Sequence, residues 1–358
     1  MHDKVIRVLI VDDSAFMRKA LREMLDRSPF IQVVETAHDG RDALEKIQLY
    51  KPDVVSIDLF MPGMDGTTFI REQMKRSPLP IVVCSSTVEG GGAFIQAMEA
   101  GAVEFVQKPT ARALDSMYDI QRELTEAVLA AASVSPDKLE PPELSLAPAA
   151  PPAVDLIRPI AAQRTGVRRV DAVLMGVSTG GPRALRALIP MLPADLPVPL
   201  VIAQHIPPGY TQQLAVRLSE LSQVEVVESA NGMELRPGQV VLARAGQHTS
   251  LVRGLNGGVC TRLSEEPRTS LYIPSVDELF QTGAQVYGSR LLGVVLTGMG
   301  SDGTSGSAWI KSEGGLVFAE AEETSVVFGM PRSVIEAGFA DRVLPLEKIP
   351  NAIMEVLQ

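Results

Sequence analysis

Short runs of apolar residues alternate along this chain with longer stretches in which apolar positions recur every three or four residues. Residues 5–11, 33–37, 54–57, 81–84 and 104–107 have the first pattern, which predicts buried strands. Residues 15–26, 40–50, 66–75, 92–100 and 113–132 have the second, which predicts amphipathic helices between them. Five strands alternating with five helices indicate a parallel sheet covered on both faces. The pattern then lapses. Seven of the 26 prolines fall between residues 134 and 167, where neither period is sustained, and this stretch predicts a semi-extended linker.

The alternation resumes beyond the linker. Residues 170–177 and 199–205 are predicted strands, and Pro182 sits where the first turn of a helix tolerates proline. A helix follows over 211–218. Residues 239–244 and 249–253, joined through Gly246, predict a hairpin. Residues 291–297 form a strongly apolar strand, followed by a glycine-rich loop and a helix near 304–313. The fold class expected is α/β in two domains. The first, residues 1–133, is doubly wound on five parallel strands. The second, residues 169–358, has a mainly parallel sheet plus a β-hairpin, and residues 134–168 are the linker.

Composition narrows the function classes. The 358 residues are 46% hydrophobic and 21% charged, as in a globular protein. No apolar run approaches the roughly 20 residues needed to cross a bilayer, and the amino-terminal residues lack a signal-peptide core, so a cytoplasmic location without membrane insertion is expected. Two cysteines, Cys84 and Cys260, are too few for a disulfide framework and are expected to be packing residues. The net charge of −10 is divided evenly between the two parts, so neither offers the basic excess that nucleic acid requires.

Two constellations carry chemistry. In the first, strand 5–11 runs into Asp12-Asp13-Ser14 and strand 54–57 delivers Asp58. Neighbouring strand ends in an open α/β sheet meet at the ligand crevice, and three carboxylates held together there suit Mg²⁺. Asp58 could then attack a phosphoryl donor, with Lys108 neutralising charge on the phosphoryl oxygens. Ser85 ends the next strand, within reach of such an oxygen. Lys108-Pro109 is a candidate cis peptide. Alone, Asp12 and Asp13 also fit helix capping at Ala15. The ordered set Asp12-Asp13, Asp58-Leu59-Phe60-Met61-Pro62 and Phe105-Val106-Gln107-Lys108-Pro109 resembles the response-regulator receiver domain over roughly residues 4–130. That resemblance implies Asp58 as phosphoacceptor and Asp12, Asp13 and Asp58 around the metal. It further implies Ser85 and Phe105 as a switch pair, Lys108 as the phosphate-sensing cation, and a sensor histidine kinase as phosphodonor.

In the second constellation, Gly176-Val177-Ser178-Thr179-Gly180 fits G-x-S-x-G between a strand and a helix. Such turns also bind phosphates. His205 ends the strand beside it, whereas His248 lies within the predicted hairpin and is expected to be structural or at the rim. Asp302, in the glycine-rich loop, could hold the imidazole in one tautomer, with the Met299 N–H near the oxyanion. Asp277 is the alternative acid, in a position that also fits a helix start. The order Ser, His, Asp departs from that of α/β-hydrolases.

Gly176–Gly181, Gln204-His205-Ile206-Pro207, Pro274–Phe280, Leu296–Gly303 and Thr324–Pro331 together resemble the chemotaxis response-regulator protein-glutamate methylesterase family, CheB, over residues 169–358. The resemblance implies Ser178 as nucleophile, His205 as general base then acid, and Asp302 as orienting carboxylate. Thr179 and Met299 belong to the oxyanion region, and ester hydrolysis needs no cofactor. The implied substrate is a glutamate γ-methyl ester on chemoreceptor cytoplasmic helices, with deamidation of receptor glutamines at the same site. An unphosphorylated receiver is expected to cover the catalytic crevice. The chain departs from the family at Ile206 and Tyr210, where methionine and phenylalanine are common, and in Ala243-Arg244-Ala245-Gly246, which lacks the proline common after the alanine. A non-catalytic adaptor controlled by phosphorylation and a general serine esterase are the alternatives.

Overall fold

The computed structural model describes residues 5–85, 91–108, 116–139, 169–268 and 270–357. Pro109 and residues 140–168 lie outside that set, so the Lys108-Pro109 peptide and most of the proline-rich stretch are not described.

The first domain is built on strands β1 (Ile6–Val11), β2 (Ile31–Ala37), β3 (Val54–Ile57), β4 (Ile81–Ser85) and β5 (Glu104–Gln107). They form one parallel sheet in the order β2-β1-β3-β4-β5. Every residue of β3 and β4 is buried, as expected for central strands covered on both faces. The covering helices are α1 (Ala15–Leu25), α2 (Gly40–Tyr50), α3 (Gly66–Arg76), α4 (Gly91–Ala100) and α5 (Ser116–Ala132). Ser14, Asp39 and Asp65 cap the first three by accepting from backbone N–H groups of the opening turn.

The second domain has a seven-stranded sheet in the order β14-β13-β12-β6-β7-β9-β8, parallel throughout. Its strands are β6 (Ala172–Val177), β7 (Leu200–Gln204), β8 (Glu225–Glu228), β9 (Gln239–Leu242), β12 (Leu291–Val295), β13 (Leu316–Glu320) and β14 (Arg342–Leu344). Helices α6 (Gly181–Leu188), α7 (Thr211–Leu221), α8 (Val276–Tyr287), α9 (Thr304–Ser312), α10 (Met330–Glu336) and α11 (Ile349–Leu357) pack around it.

The hairpin differs from the expected one. β10 (His248–Arg253) pairs antiparallel with β11 (Val259–Ser264), not with β9. Residues 240–242 are buried on both sides of the strand, which places β9 inside the parallel sheet. The reversal occurs instead across Gly254-Leu255-Asn256-Gly257-Gly258, where Gly257 has φ +80°, and Asn-Gly is a strong hairpin signal.

The domains share a packed seam. Phe94 of α4 and Phe105 of β5 meet Tyr210, just before α7, with ring centroids 4.8–5.2 Å apart. Beside this cluster Glu99 accepts from Arg217 at 2.8 Å. The start of the proline-rich stretch is ordered against both domains. Val134 and Leu139 are buried in the hydrophobic cluster that joins the core of the first domain to Tyr210, Val326 and Val327 of the second. Lys138, in a single 3₁₀ turn, donates to the carbonyls of Glu322 and Ser325 at 2.7 and 2.8 Å, and its own carbonyl accepts from Arg183 of α6.

Candidate functional site: an acidic pocket and a serine–histidine cleft

At the carboxyl edge of the first sheet, Asp12, Asp13 and Asp58 each present an oxygen within 4.8 Å of the others. Lys108, directly after β5, reaches past the end of β4 to ion-pair with Asp12 at 2.6 Å and with Asp58. Ser85 donates to Asp58 Oδ1 at 2.9 Å, and the Phe60 N–H donates to the same oxygen at 3.3 Å. Burial raises the Asp12 carboxyl, opposed by its Lys108 partner; Lys108 itself is raised because two carboxylates outweigh its burial. Three converging hard oxygens fit a divalent cation better than they fit helix capping, which Ser14 performs. Phe105 is 4% exposed and points into the aromatic seam.

In the second domain, Ser178 follows β6, His205 follows β7, and Thr297 to Asp302 follow β12. All three strand ends are adjacent because β12, β6 and β7 are neighbours in the sheet, the topological position where α/β sheets bind ligands. The serine turn is tight: the Ser178 N–H donates to Thr297 O at 3.0 Å and the Gly181 N–H to Ser178 O at 2.7 Å. Gly180 has φ +79°, and a side chain there would meet Val326 at 2.5 Å, so only glycine fits. Gly298 is equally constrained, its missing Cβ lying 2.7 Å from that of Ser178.

His205 Nε2 lies 2.8 Å from Asp302 Oδ2. Asp302 also accepts from the N–H groups of Val276 (2.7 Å) and Asp277 (2.9 Å) and from the Ser275 hydroxyl (3.1 Å). Burial alone would raise this carboxyl; His205 and the α8 N–H groups hold it below the ordinary range, favouring the ionised form. With Nε2 committed to Asp302, Nδ1 is the free ring nitrogen: it is buried and has no hydrogen-bond partner among the described residues. Tyr272 stacks on the ring at 4.2 Å and 10°. The imidazole is thus held on its edge and on its face, with one basic nitrogen unspent in the cleft it shares with Ser178, Thr179 and Met299. Among the described residues the Met299 N–H donates to no backbone carbonyl.

His248 is wholly buried, with Nδ1 accepting from the Ser275 N–H and Nε2 against Pro267 O, a structural role. Asp277 opens α8 and accepts from the N–H groups of Gly303 and Gly306, shaping the loop that carries Asp302. Cys84 is buried and its thiol is pushed up to about 12, consistent with packing.

Glu320, at the end of β13, carries no local signal of function in the sequence. It is fully buried, accepts from the Thr297 N–H at 2.7 Å and from the Thr324 hydroxyl at 2.9 Å, and is raised by burial to about 7. Thr297 in turn donates its hydroxyl to Thr179 O at 2.9 Å and accepts from the Val327 N–H. Glu320 therefore supports the serine turn from behind. Since its folded value lies above the ordinary 4.5, the folded state binds the extra proton between about pH 4.5 and 7, and this group's contribution to stability falls as pH rises through that window. The separation corresponds to roughly 3 kcal/mol. Glu320→Gln, which cannot ionise, is expected to have a higher thermal midpoint than the parent at pH 8. The difference should shrink toward pH 5; a constant offset at all pH values would refute the charge-burial account.

Two family profiles match the chain, that of the CheB methylesterase over residues 173–353 and that of the response regulator receiver domain over residues 8–118. A protein-glutamate methylesterase/protein-glutamine glutaminase of Myxococcus xanthus is 45% identical over 96% of this chain and 95% of its own. One of the same description from Thermotoga maritima is 41% identical over the full length of both. Among solved structures, the Thermotoga maritima CheB methylesterase catalytic domain aligns with a TM-score of 0.51 and 45% identity, covering 52% of this chain and 98% of its own. No helix of the described residues is long and apolar enough to cross a membrane.

Proposed function

From the premise that this chain belongs to the CheB methylesterase family, with a receiver domain ahead of the hydrolase, we infer a phosphorylation-controlled protein-glutamate methylesterase and protein-glutamine glutaminase whose catalytic set is Ser178, His205 and Asp302. The single observation that carries the residue assignment is the clamped imidazole, paired with Asp302 at 2.8 Å and with Nδ1 free beside the serine turn.

Ser178 Oγ attacks the γ-carbonyl carbon of a glutamyl methyl ester while His205 Nδ1 takes its proton. Asp302 stabilises the imidazolium through Nε2. The negative oxygen of the tetrahedral adduct faces the Met299 N–H and the Thr179 region, where fixed donors act before any solvent reorganises. Methanol leaves with the proton from Nδ1, and water repeats the sequence to free the glutamate carboxylate. An amide passes through the same adduct and releases ammonia. The substrate is a methylated or amidated chemoreceptor helix, which places the reaction in the cytoplasm.

In the receiver, Asp58 takes the phosphoryl group from a sensor histidine kinase. Asp12, Asp13 and Asp58 would hold Mg²⁺, which neutralises charge between the carboxylate and the incoming phosphoryl oxygens. Ser85 and Lys108, both on Asp58 in this structure, would transfer to those oxygens. β4 and β5 are paired Val83 to Phe105, so movement at Ser85 is felt at Phe105 and hence at Tyr210. Complete switching of a 1:99 equilibrium to 99:1 requires about 5.5 kcal/mol; a smaller difference gives graded activation. With methylated receptor membranes, a small phosphodonor is expected to raise methanol release from the parent and leave Asp58→Asn at its basal rate. Stimulation of Asp58→Asn would remove Asp58 as phosphoacceptor.

A further inference from the structure

Glu104 begins β5, immediately before Phe105, and its carboxylate crosses the seam. It accepts from the Thr179 hydroxyl, one residue beyond Ser178, and from its own chain at the Phe105 N–H, 3.0 Å away. Burial raises this carboxyl, while the Thr179 hydroxyl, the Phe105 N–H and the nearby His205 favour its charged form. Glu104 lines the same cleft as Ser178, His205 and Met299.

The chemistry of this contact matters more than its area. The reaction proposed above ends with the γ-carboxylate of a glutamate lying among Ser178, Thr179 and His205. The receiver delivers a γ-carboxylate of a glutamate to that cleft. An aspartate at 104 would stop one methylene short, and a hydrophobic residue would only fill space.

We propose that Glu104 occupies the subsite for the substrate's glutamyl side chain, so that the unphosphorylated receiver inhibits as a tethered product analogue in addition to covering the cleft. The inference rests on the methylesterase reading of that cleft. It explains why the inhibitory carboxylate adjoins Phe105: a shift of the switch residue withdraws its neighbour from the site.

A lid and a product analogue differ in what they exclude. A small activated ester such as p-nitrophenyl acetate can slip past a lid that stops a receptor helix, but it cannot enter a subsite already filled. The full-length, unphosphorylated chain is therefore compared with Glu104→Ala and Glu104→Asp on that ester and on methylated receptor membranes. A hydrogen bond to a charged group is worth about 1.5–3 kcal/mol, so hydrolysis of the small ester is expected to rise roughly tenfold or more in both variants. Receptor demethylation should stay low until phosphodonor is added and should then match the parent, which also shows that the variants fold. Unchanged small-ester rates would overturn the proposal. Equal release of both substrates would overturn it too, because the carboxylate would then only fasten the domains. Small-ester hydrolysis that survives Ser178→Ala would instead sink the hydrolase reading, a separate failure.

Discussion

Ser178→Ala is expected to lower methanol release from methylated receptor membranes by several orders of magnitude, up to roughly 10⁶-fold on the precedent of triad serines. The side chain is small and 7% exposed, and the turn that holds it is fixed by backbone bonds to Thr297 and Gly181. Removing one oxygen should therefore leave the fold and the seam intact. A phosphodonor should not rescue the variant, because phosphorylation exposes the site without supplying a nucleophile. Residual phosphodonor-dependent methanol within tenfold of the parent would point to another nucleophile.

Asp302→Asn should cost about 10⁴ in kcat, and the reason lies in the donors around it. Oδ2 accepts from His205 Nε2 and the Val276 N–H, while Oδ1 accepts from the Asp277 N–H and the Ser275 hydroxyl. An amide offers one acceptor. With its NH₂ toward His205, it forces the hydrogen to Nδ1, and the ring can no longer take the serine proton. With its NH₂ toward Asp277, it sets donor against donor at the start of α8, at about 1–3 kcal/mol for a buried unsatisfied group. Either placement lowers thermal stability, the first by setting the NH₂ against the Val276 N–H and the second against the Asp277 N–H, and the first also forces the inactive tautomer. A variant with parent-like kcat would exclude Asp302 as the orienting acid.

The acidic pocket was legible because its residues stand at strand ends marked by apolar runs, and strand ends in such sheets converge whatever the intervening helices do. The same reasoning reached Ser178, His205 and the glycine loop. It failed where burial contradicts local chemistry. Glu320 closes a strand and precedes Ala321-Glu322-Glu323, so it reads as part of a solvated acidic run; nothing local signals that only the first carboxylate turns inward. Gly246 between β9 and β10 has the look of a hairpin turn, although the stronger Asn256-Gly257 signal lies ten residues on. The opposition of Phe94 and Phe105 to Tyr210, and of Glu104 to Thr179, joins two domain surfaces. Periodicity reports which face of an element is buried, not what lies against it.

The clasp at Lys138 alters how the off-state should be counted. Measured from the end of α5 at Ala132, the chain between the receiver and its anchor at Lys138 on the catalytic domain is five residues, 133–137, not the whole proline-rich stretch. While that anchor holds, an opened receiver hangs beside its docking face at an effective concentration in the millimolar range typical of short tethers. Recapture is then set by chain geometry and does not depend on how many copies the cell contains. A dilute enzyme and an enzyme crowded at a receptor cluster would close equally fast once Asp58 loses its phosphate.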